Sequence, residues 1–381
     1  MNHKTRQINL NQLTALIVFF LIGGSALSST ARYSGQNVWI VLLGAGGLGA
    51  ILFTMYHRIS KIHNHKGLPD ILKSTFGNFL GIIILFVYAG FFLFRTISGG
   101  NYMTAMAQET LMYGASHRIV IMMLLMTVII GTLYGLNVIG RSAEIFLFIT
   151  IVCLLPFLLA IFTSDIFKTE NLIPILAEGV PGIAQDIART TFSPYGELFI
   201  FLMLFPYIAQ EEHKGILKRS FITITISVLL MIAIDLTIVA LIGANLTSNF
   251  EYPFYNAMQL AGIRGFLERL DLLAIIIIVT TGYFKLVTYY FVTILAFQAL
   301  NKRFNFKVIL ALISILIFLL APIAKIHETG FMMNVIPLRI LPIFELAIPL
   351  LIWIVSEIRF KNKNHTKPKK IKSTIISPEP T

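Results

Sequence analysis

Residues 190–199 read TTFSPYGELF. Pro194 lacks a backbone N–H and fixes its own φ, and Gly196 has no Cβ, so a helix passing through Ser193–Gly196 is expected to break. A second interruption lies in residues 19–29, FFLIGGSALSS, where Gly23 and Gly24 precede Ser25 inside an apolar run. Each interruption alone reads equally as an ordinary kink, because Gly and Pro are common in membrane helices. Their placement argues for more. If the chain consists of two five-helix halves, each break falls in the first helix of its half, the pattern of an inverted-repeat transporter fold with a central site.

Composition supports the membrane setting. Of 381 residues, 56% are hydrophobic and 13% charged, against about 25% charged in an average soluble domain. Ten apolar runs are long enough to span a bilayer, at roughly 9–30, 37–56, 78–107, 119–137, 141–163, 184–209, 217–243, 268–299, 305–324 and 336–357. The expected fold class is therefore all-α integral membrane: ten transmembrane helices, 5+5, with helices 1 and 6 broken. The ten form one domain over 1–358, with repeat one at about 9–163 and repeat two at about 184–357. Residues 359–381 form a basic tail. The first run resembles a signal peptide, but nine further spans favour an uncleaved helix.

The 30 Lys and Arg against 18 Asp and Glu locate the two sides of the membrane rather than a nucleic acid. Lys4 and Arg6, the Arg58–Lys73 segment, Arg141, the Lys214–Arg219 segment, the Lys302–Lys307 segment and the tail fall on one side, which is read as cytoplasmic along with both termini. Two loops on the other side, 164–183 and 244–267, mix apolar and polar residues with prolines and are suited to lid a site or dock a partner. The lone Cys153 excludes an internal disulfide. His57, His63 and His65 have no Cys or acid nearby to complete a metal site, so neither metal nor cofactor is expected. There is also no clustered His/Asp/Ser constellation of the kind a membrane enzyme would need.

The charges inside the apolar runs call for an explanation. Residues 279–291, VTTGYFKLVTYYF, hold Lys285, and a cation in lipid costs roughly 3 kcal/mol or more. Its helical neighbours Thr281, Gly282, Thr288 and Tyr289 make a small and polar stripe rather than a lipid face. Arg95 has Ser98, Gly99 and Tyr102 on its stripe. Glu197, Asp235 and Glu345 are the interior acids. Both cations are expected to face the bundle interior with an acid or backbone carbonyls in reach. Glu197 reads as a gating or proton-responsive acid, or equally as a helix cap.

The IGGSAL stretch resembles the unwound segment of amino acid–polyamine–organocation transporters. NLNQL (9–13), SPYGELFIFLMLFPYI (193–208), ERLD (268–271) and GYFK (282–285) resemble one branch of that superfamily, the B subunits of spore germinant receptors. Thr280–Thr281 departs from the bulkier residue expected before GYFK. The resemblance implies a nutrient-sensing subunit acting with A and C subunits in the spore inner membrane. It also implies that spans one and eight flank an ion site where the Lys285 ammonium stands in for sodium; a purely structural ion pair is the alternative. The ligand-binding set is expected to be Gly23, Gly24, Ser25, Ser98, Tyr102, Ser193, Tyr195, Gly196 and Tyr283. Lys285, Glu197 and Arg95 are the coupling or ion-substituting groups. The ligand is a small nutrient, an amino acid by expectation. The alternative is an amino acid permease, proton-coupled or not.

Overall fold

The structure is a computed structural model that describes residues 7–163, 167–174, 180–261, 270–301, 303–324 and 331–364. Lys4, Arg6, Glu268 and Arg269 of the sequence reading lie outside these residues, as does the tail beyond Asn364. Ser25 is described by its backbone alone.

The helices in chain order are α1 Leu10–Leu27, α2 Ala31–Ser34, α3 Val38–Ile62, α4 Leu68–Thr110, α5 His117–Tyr134, α6 Leu136–Thr163 and α7 Val180–Thr190. After an irregular segment come α8 Ile216–Ile242, α9 Ala244–Asn249, α10 Pro253–Leu260, α11 Leu270–Leu300, α12 Phe306–Leu320 and α13 Ile348–Asn364. Seven helical stretches are long and apolar enough to cross a membrane, and Leu10–Gly24 and Phe306–Leu320 are shorter apolar helices. The segment between α7 and α8 is helical in pieces: a π turn at Thr191–Tyr195 and a 3-10 stretch at Gly196–Met203.

The break in this segment falls at Ser193, whose φ of −134° and ψ of 106° are extended. The residue before a proline is pushed out of the helical region by the ring, so the sequence dictates the position. In the first span the expected break at Gly23–Ser25 is absent. α1 runs without interruption through Gly23, Gly24 and Ser25 to Leu27, and the chain leaves the helix at Ser28–Thr30. Glycine costs a helix only about 1 kcal/mol and does not by itself end one. Gly24 remains helical enough for its carbonyl to accept the Ser28 N–H at 3.0 Å. What ends the helix is the Ser-Ser-Thr run, with Asp235 of α8 accepting the Ser29 hydroxyl at 2.7 Å. Ser and Thr hydroxyls bond locally in competition with the helical ladder.

The two glycines serve close approach instead. A Cβ on Gly23 would lie 3.2 Å from the Thr281 carbonyl oxygen of α11, and one on Gly24 would lie 3.2 Å from Cβ of Pro194. α1 therefore lies against both α11 and the broken segment, with Phe19 stacked on Phe284 at 4.6 Å between ring centroids. The start of α1 and the far end of the broken segment are joined by backbone. The Ile8 N–H donates to the Tyr207 carbonyl at 2.8 Å, and the Ala209 N–H donates to Ile8 at 3.3 Å.

Two other helices depart from regular form. α4 kinks at Gly77, whose φ is 83°. The stretch ahead of α13 is a π-helix at Ile343–Ala347, where the Tyr56 hydroxyl donates to the Glu345 carbonyl and the Tyr88 hydroxyl to that of Phe344. Beyond the end of α3, His63 bonds Ser74 and Ser356, and burial pushes its imidazole down to about 4, so it is neutral near pH 7.

The glycines of α3 set its distance to the broken segment. A Cβ on Gly49 would fall 2.5 Å from Cβ of Tyr195, whereas one on Gly47 meets nothing within 4 Å. Gly49→Ala should therefore destabilise the protein by about 1–3 kcal/mol through overpacking, and Gly47→Ala should leave it unchanged or slightly raise its stability. Thermal unfolding of the purified variants in detergent checks this; equal midpoints for the two variants would contradict the packing.

Candidate functional site

Glu197 is the fourth residue after the extended Ser193 and is 2% exposed. Four donors converge on its carboxylate. Arg95 Nη2 of α4 lies 2.6 Å from Oε1, and Lys285 Nζ of α11 lies 2.8 Å from Oε2. The Ser193 hydroxyl donates to Oε1 at 2.8 Å and the Tyr289 hydroxyl to Oε2 at 2.8 Å. One carboxylate thus draws together two helices and the broken segment. The cations also lie over aromatic faces: Arg95 is 5.5 Å from the Tyr289 ring centroid and Lys285 is 5.7 Å from that of Phe20. These contacts offset the burial of Lys285. The acid comes from the broken span, in keeping with the expectation that each cation faces the interior with a partner.

Beside the cluster is a cavity of about 130 Å³, with Gly23, Gly24, Arg95, Tyr102, Ser193 and Lys285 in its wall. Ser98 also lines it. Arg32 and Glu251 stand at one end, linked by an Arg32 Nη1 contact of 3.4 Å to the Glu251 carbonyl. The 244–267 loop, which carries α9 and α10, thereby contributes to the wall, and Tyr252 packs edge-on against Tyr102 at 5.7 Å. A compact anionic group suits this cavity, because two cations are in its wall and their shared carboxylate is already saturated with donors.

Three residues of the expected ligand set face elsewhere. Tyr195 is fully buried against Gly49, its hydroxyl 3.8 Å from the Met231 sulfur. Gly196 lies against the Glu345 side chain, and its carbonyl accepts from Tyr56 at 3.2 Å. Tyr283 turns to α5, its hydroxyl 3.5 Å from the Thr127 carbonyl. The reason is helical phase. Tyr283 precedes Lys285 by two residues, about 200° around the helix, while Gly282 and Tyr289 share the face of Lys285. Tyr289, Met103, Gly99 and Gly282 line the cavity without having been in the expected set. Tyr289 and Gly282 were signalled by their spacing from Lys285, and Gly99 by its place on the Arg95 stripe. Arg32 and Glu251 had no local signal. Among the described residues, no group of three His, Cys, Asp or Glu is arranged to hold a metal.

Charge counting makes the three members of the cluster unequal. Loss of Lys285 leaves Arg95 and Glu197 balanced, whereas loss of Glu197 leaves two buried cations facing each other. Glu197→Ala should therefore cost about 3–5 kcal/mol, and Lys285→Met clearly less. In the double variant the two effects should not add. Thermal midpoints of the four proteins provide the test; an Lys285→Met loss as large as that of Glu197→Ala would refute the shared-carboxylate account.

Comparison with known proteins gives the family of the chain. Spore germination protein KB of Bacillus subtilis (strain 168) is 26% identical over 379 residues, 96% of this chain and 99% of that protein. An arginine/ornithine antiporter of Pseudomonas aeruginosa is 25% identical over 192 residues, 44% of this chain and 39% of that protein. Among solved structures, a nucleobase-cation-symport-1 family transporter, closed with bromovinylhydantoin bound, superposes with a TM-score of 0.62. It covers 88% of this chain and 76% of its own at 14% identity, a likeness of fold alone. A family model described as Spore germination protein matches residues 7–329. With a transporter fold and a match over most of its length, the chain belongs to the spore germination protein family.

Proposed function

We propose that the chain is the nutrient-sensing membrane subunit of a spore germination receptor. In this reading it binds a small ligand, an amino acid, in the cavity beside the Arg95–Glu197–Lys285 cluster and signals to A and C subunits in the spore inner membrane. The observation that carries the proposal is that cavity, set between a broken span and two helices with a cation on each. A ligand carboxylate meets Arg95 and Lys285, with Gly23, Gly24, Ser98, Tyr102 and Ser193 shaping the rest of the pocket. We count ten crossings by adding the two shorter apolar helices and the broken segment to the seven long stretches. In this reading they divide into two five-helix halves, with both termini cytoplasmic.

Lys285 takes the role of a built-in cation between the first and eighth spans. Its Nζ lies 3.8 Å from where a Gly24 Cβ would be, so it ties α11 to α1 as well as to the broken segment. A fixed ammonium there lets ligand binding bias two packings of these spans without a transported ion. A permease is the second reading, favoured by the partial likeness to the arginine/ornithine antiporter. The purified subunit in proteoliposomes separates the two: a permease moves labelled amino acid by itself, and a sensor does not.

Gly24 offers the direct test of the pocket. Gly24→Leu fills the wall next to Pro194, while Gly24→Ala adds only a methyl group. In spores with subunit levels checked by immunoblot, Gly24→Ala should raise the half-maximal germinant concentration by about tenfold, equivalent to 1.4 kcal/mol. Gly24→Leu should abolish the response. A wild-type dose–response in Gly24→Leu at normal abundance would remove the cavity from the mechanism.

A further inference from the structure

Glu345, in the π-helical stretch ahead of α13, is 1% exposed. Among the described residues, neither of its carboxyl oxygens has a hydrogen-bond partner. Its carboxyl lies against Gly196, so close that any Cβ there would collide with Oε2. Among the described residues, the tyrosine hydroxyls and the Lys285 ammonium nearby are engaged elsewhere, as is the Arg95 Nη2. Tyr56 donates to the Glu345 and Gly196 carbonyls, Tyr88 to the Phe344 carbonyl and Tyr289 to Glu197. Arg95 and Lys285 are both on Glu197. These residues, with Glu197 itself, are the charged and titratable groups that face Glu345 from α3, α4, the broken segment and α11.

Hydrogen bonding therefore does nothing to hold Glu345 ionised. The charge of the adjacent cluster decides it. Two cations share one carboxylate, which leaves one positive charge buried next to Glu345, and the Arg95 Nε has no partner among the described residues. That charge is compensated in one of two ways: by a Glu345 carboxylate acting through space, or by an anion in the cavity on Arg95 and Lys285. Once an anion is present, a second buried negative charge without donors is costly, and Glu345 is better as the neutral acid.

The geometry points to Glu345 as a proton-binding site coupled to the cavity: an anionic ligand group binds at Arg95 and Lys285 as Glu345 takes up one proton. The proton comes from water and forms the Glu345 O–H bond; it returns to water when the anion leaves, with no redox change. This deepens the proposed function, since it rests on a ligand carboxylate entering that cavity. By linkage, the anion binds more tightly as pH falls, and the proton binds more tightly when the anion is present. The glycine at 196 is part of the device, because only a residue without a side chain lets the carboxyl lie so near the break.

The test uses the full-length protein in lipid nanodiscs with acetate as the probe and acetamide as its uncharged control. Titration calorimetry in buffers of different ionisation heat counts the protons. Wild type should take up protons as it binds acetate, approaching one per acetate toward the alkaline end of the pH range in which the protein is stable, its affinity rising up to about tenfold per pH unit lowered. Acetamide should show neither effect. Glu345→Gln mimics the protonated form, so it should bind acetate at least as tightly as wild type at low pH, without proton uptake and without pH dependence. Lys285→Met should lose acetate binding, because it removes the surplus charge.

Acetate binding to wild type with no proton uptake overturns the proposal. So does a Glu345→Gln variant that keeps the uptake, and so does the absence of acetate binding to wild type across that range. The wild-type arms decide the matter even if Glu345→Gln does not fold. If acetate shows the coupling but none of the twenty natural amino acids binds, the amino-acid reading fails and the proton site stands. If amino acids bind without proton uptake, the reading survives and the proton site fails.

Discussion

A single carboxylate holds together the parts of this protein that have reason to separate. Glu197 accepts from Arg95, Lys285, Ser193 and Tyr289. Each of the two cations would be expensive in an apolar interior, and each is tolerated because the same acid meets it. Placing that acid just after a break makes the arrangement conditional. The position of Glu197 depends on the extended Ser193 and the turn that follows, so a change in the path of the broken segment is felt at once by α4 and α11. Interfaces built this way favour discrete alternatives over gradual deformation.

The remaining irregularities are consistent with that constraint. Helical breaks in an apolar bundle leave carbonyls and N–H groups that need partners. Here the partners are specific. Asp235 takes the Ser29 hydroxyl where the first span ends, and Tyr56 and Tyr88 take carbonyls exposed by the π-helical stretch near Glu345. The small residues facing the breaks are present for proximity: Gly23 against Thr281, Gly49 against Tyr195 and Gly196 against Glu345. Close backbone approach and buried charge therefore occur in the same place.

Much of this was legible in the sequence, and the failures share a cause. Pro194 announces the break at Ser193 because its effect is local. The break expected in the first span does not form, because Gly23 and Gly24 only permit an interruption, and the acceptor that meets the end of α1, Asp235, lies over 200 residues further on. Arg95, Glu197 and Lys285 stand out individually as charges in apolar runs, yet their meeting on one carboxylate is a product of tertiary packing. Tyr195 and Tyr283 seemed natural pocket residues by proximity in sequence to the break and to Lys285. Helical phase turns Tyr283 away, information the stripe containing Gly282 and Tyr289 already carried, whereas Tyr195 is turned onto Gly49 by the path of the chain after the extended Ser193. The absence of hydrogen bonds to the Glu345 carboxyl among the described residues follows in part from where three tyrosine hydroxyls point, which no local pattern encodes.

The backbone pairing of Ile8 with Tyr207 and Ala209 has a mechanical consequence. α1 has 18 residues, and at 1.5 Å per residue it is an arm about 27 Å long that ends at Ser28–Thr30. A tilt of about 10° at that end would sweep its far end through about 5 Å, and the backbone pairing would carry the end of the broken segment with it. α1 and the broken segment are thus yoked at that end. A small angular change beside the cavity would therefore appear as a displacement of about 5 Å at the paired ends of α1 and the broken segment.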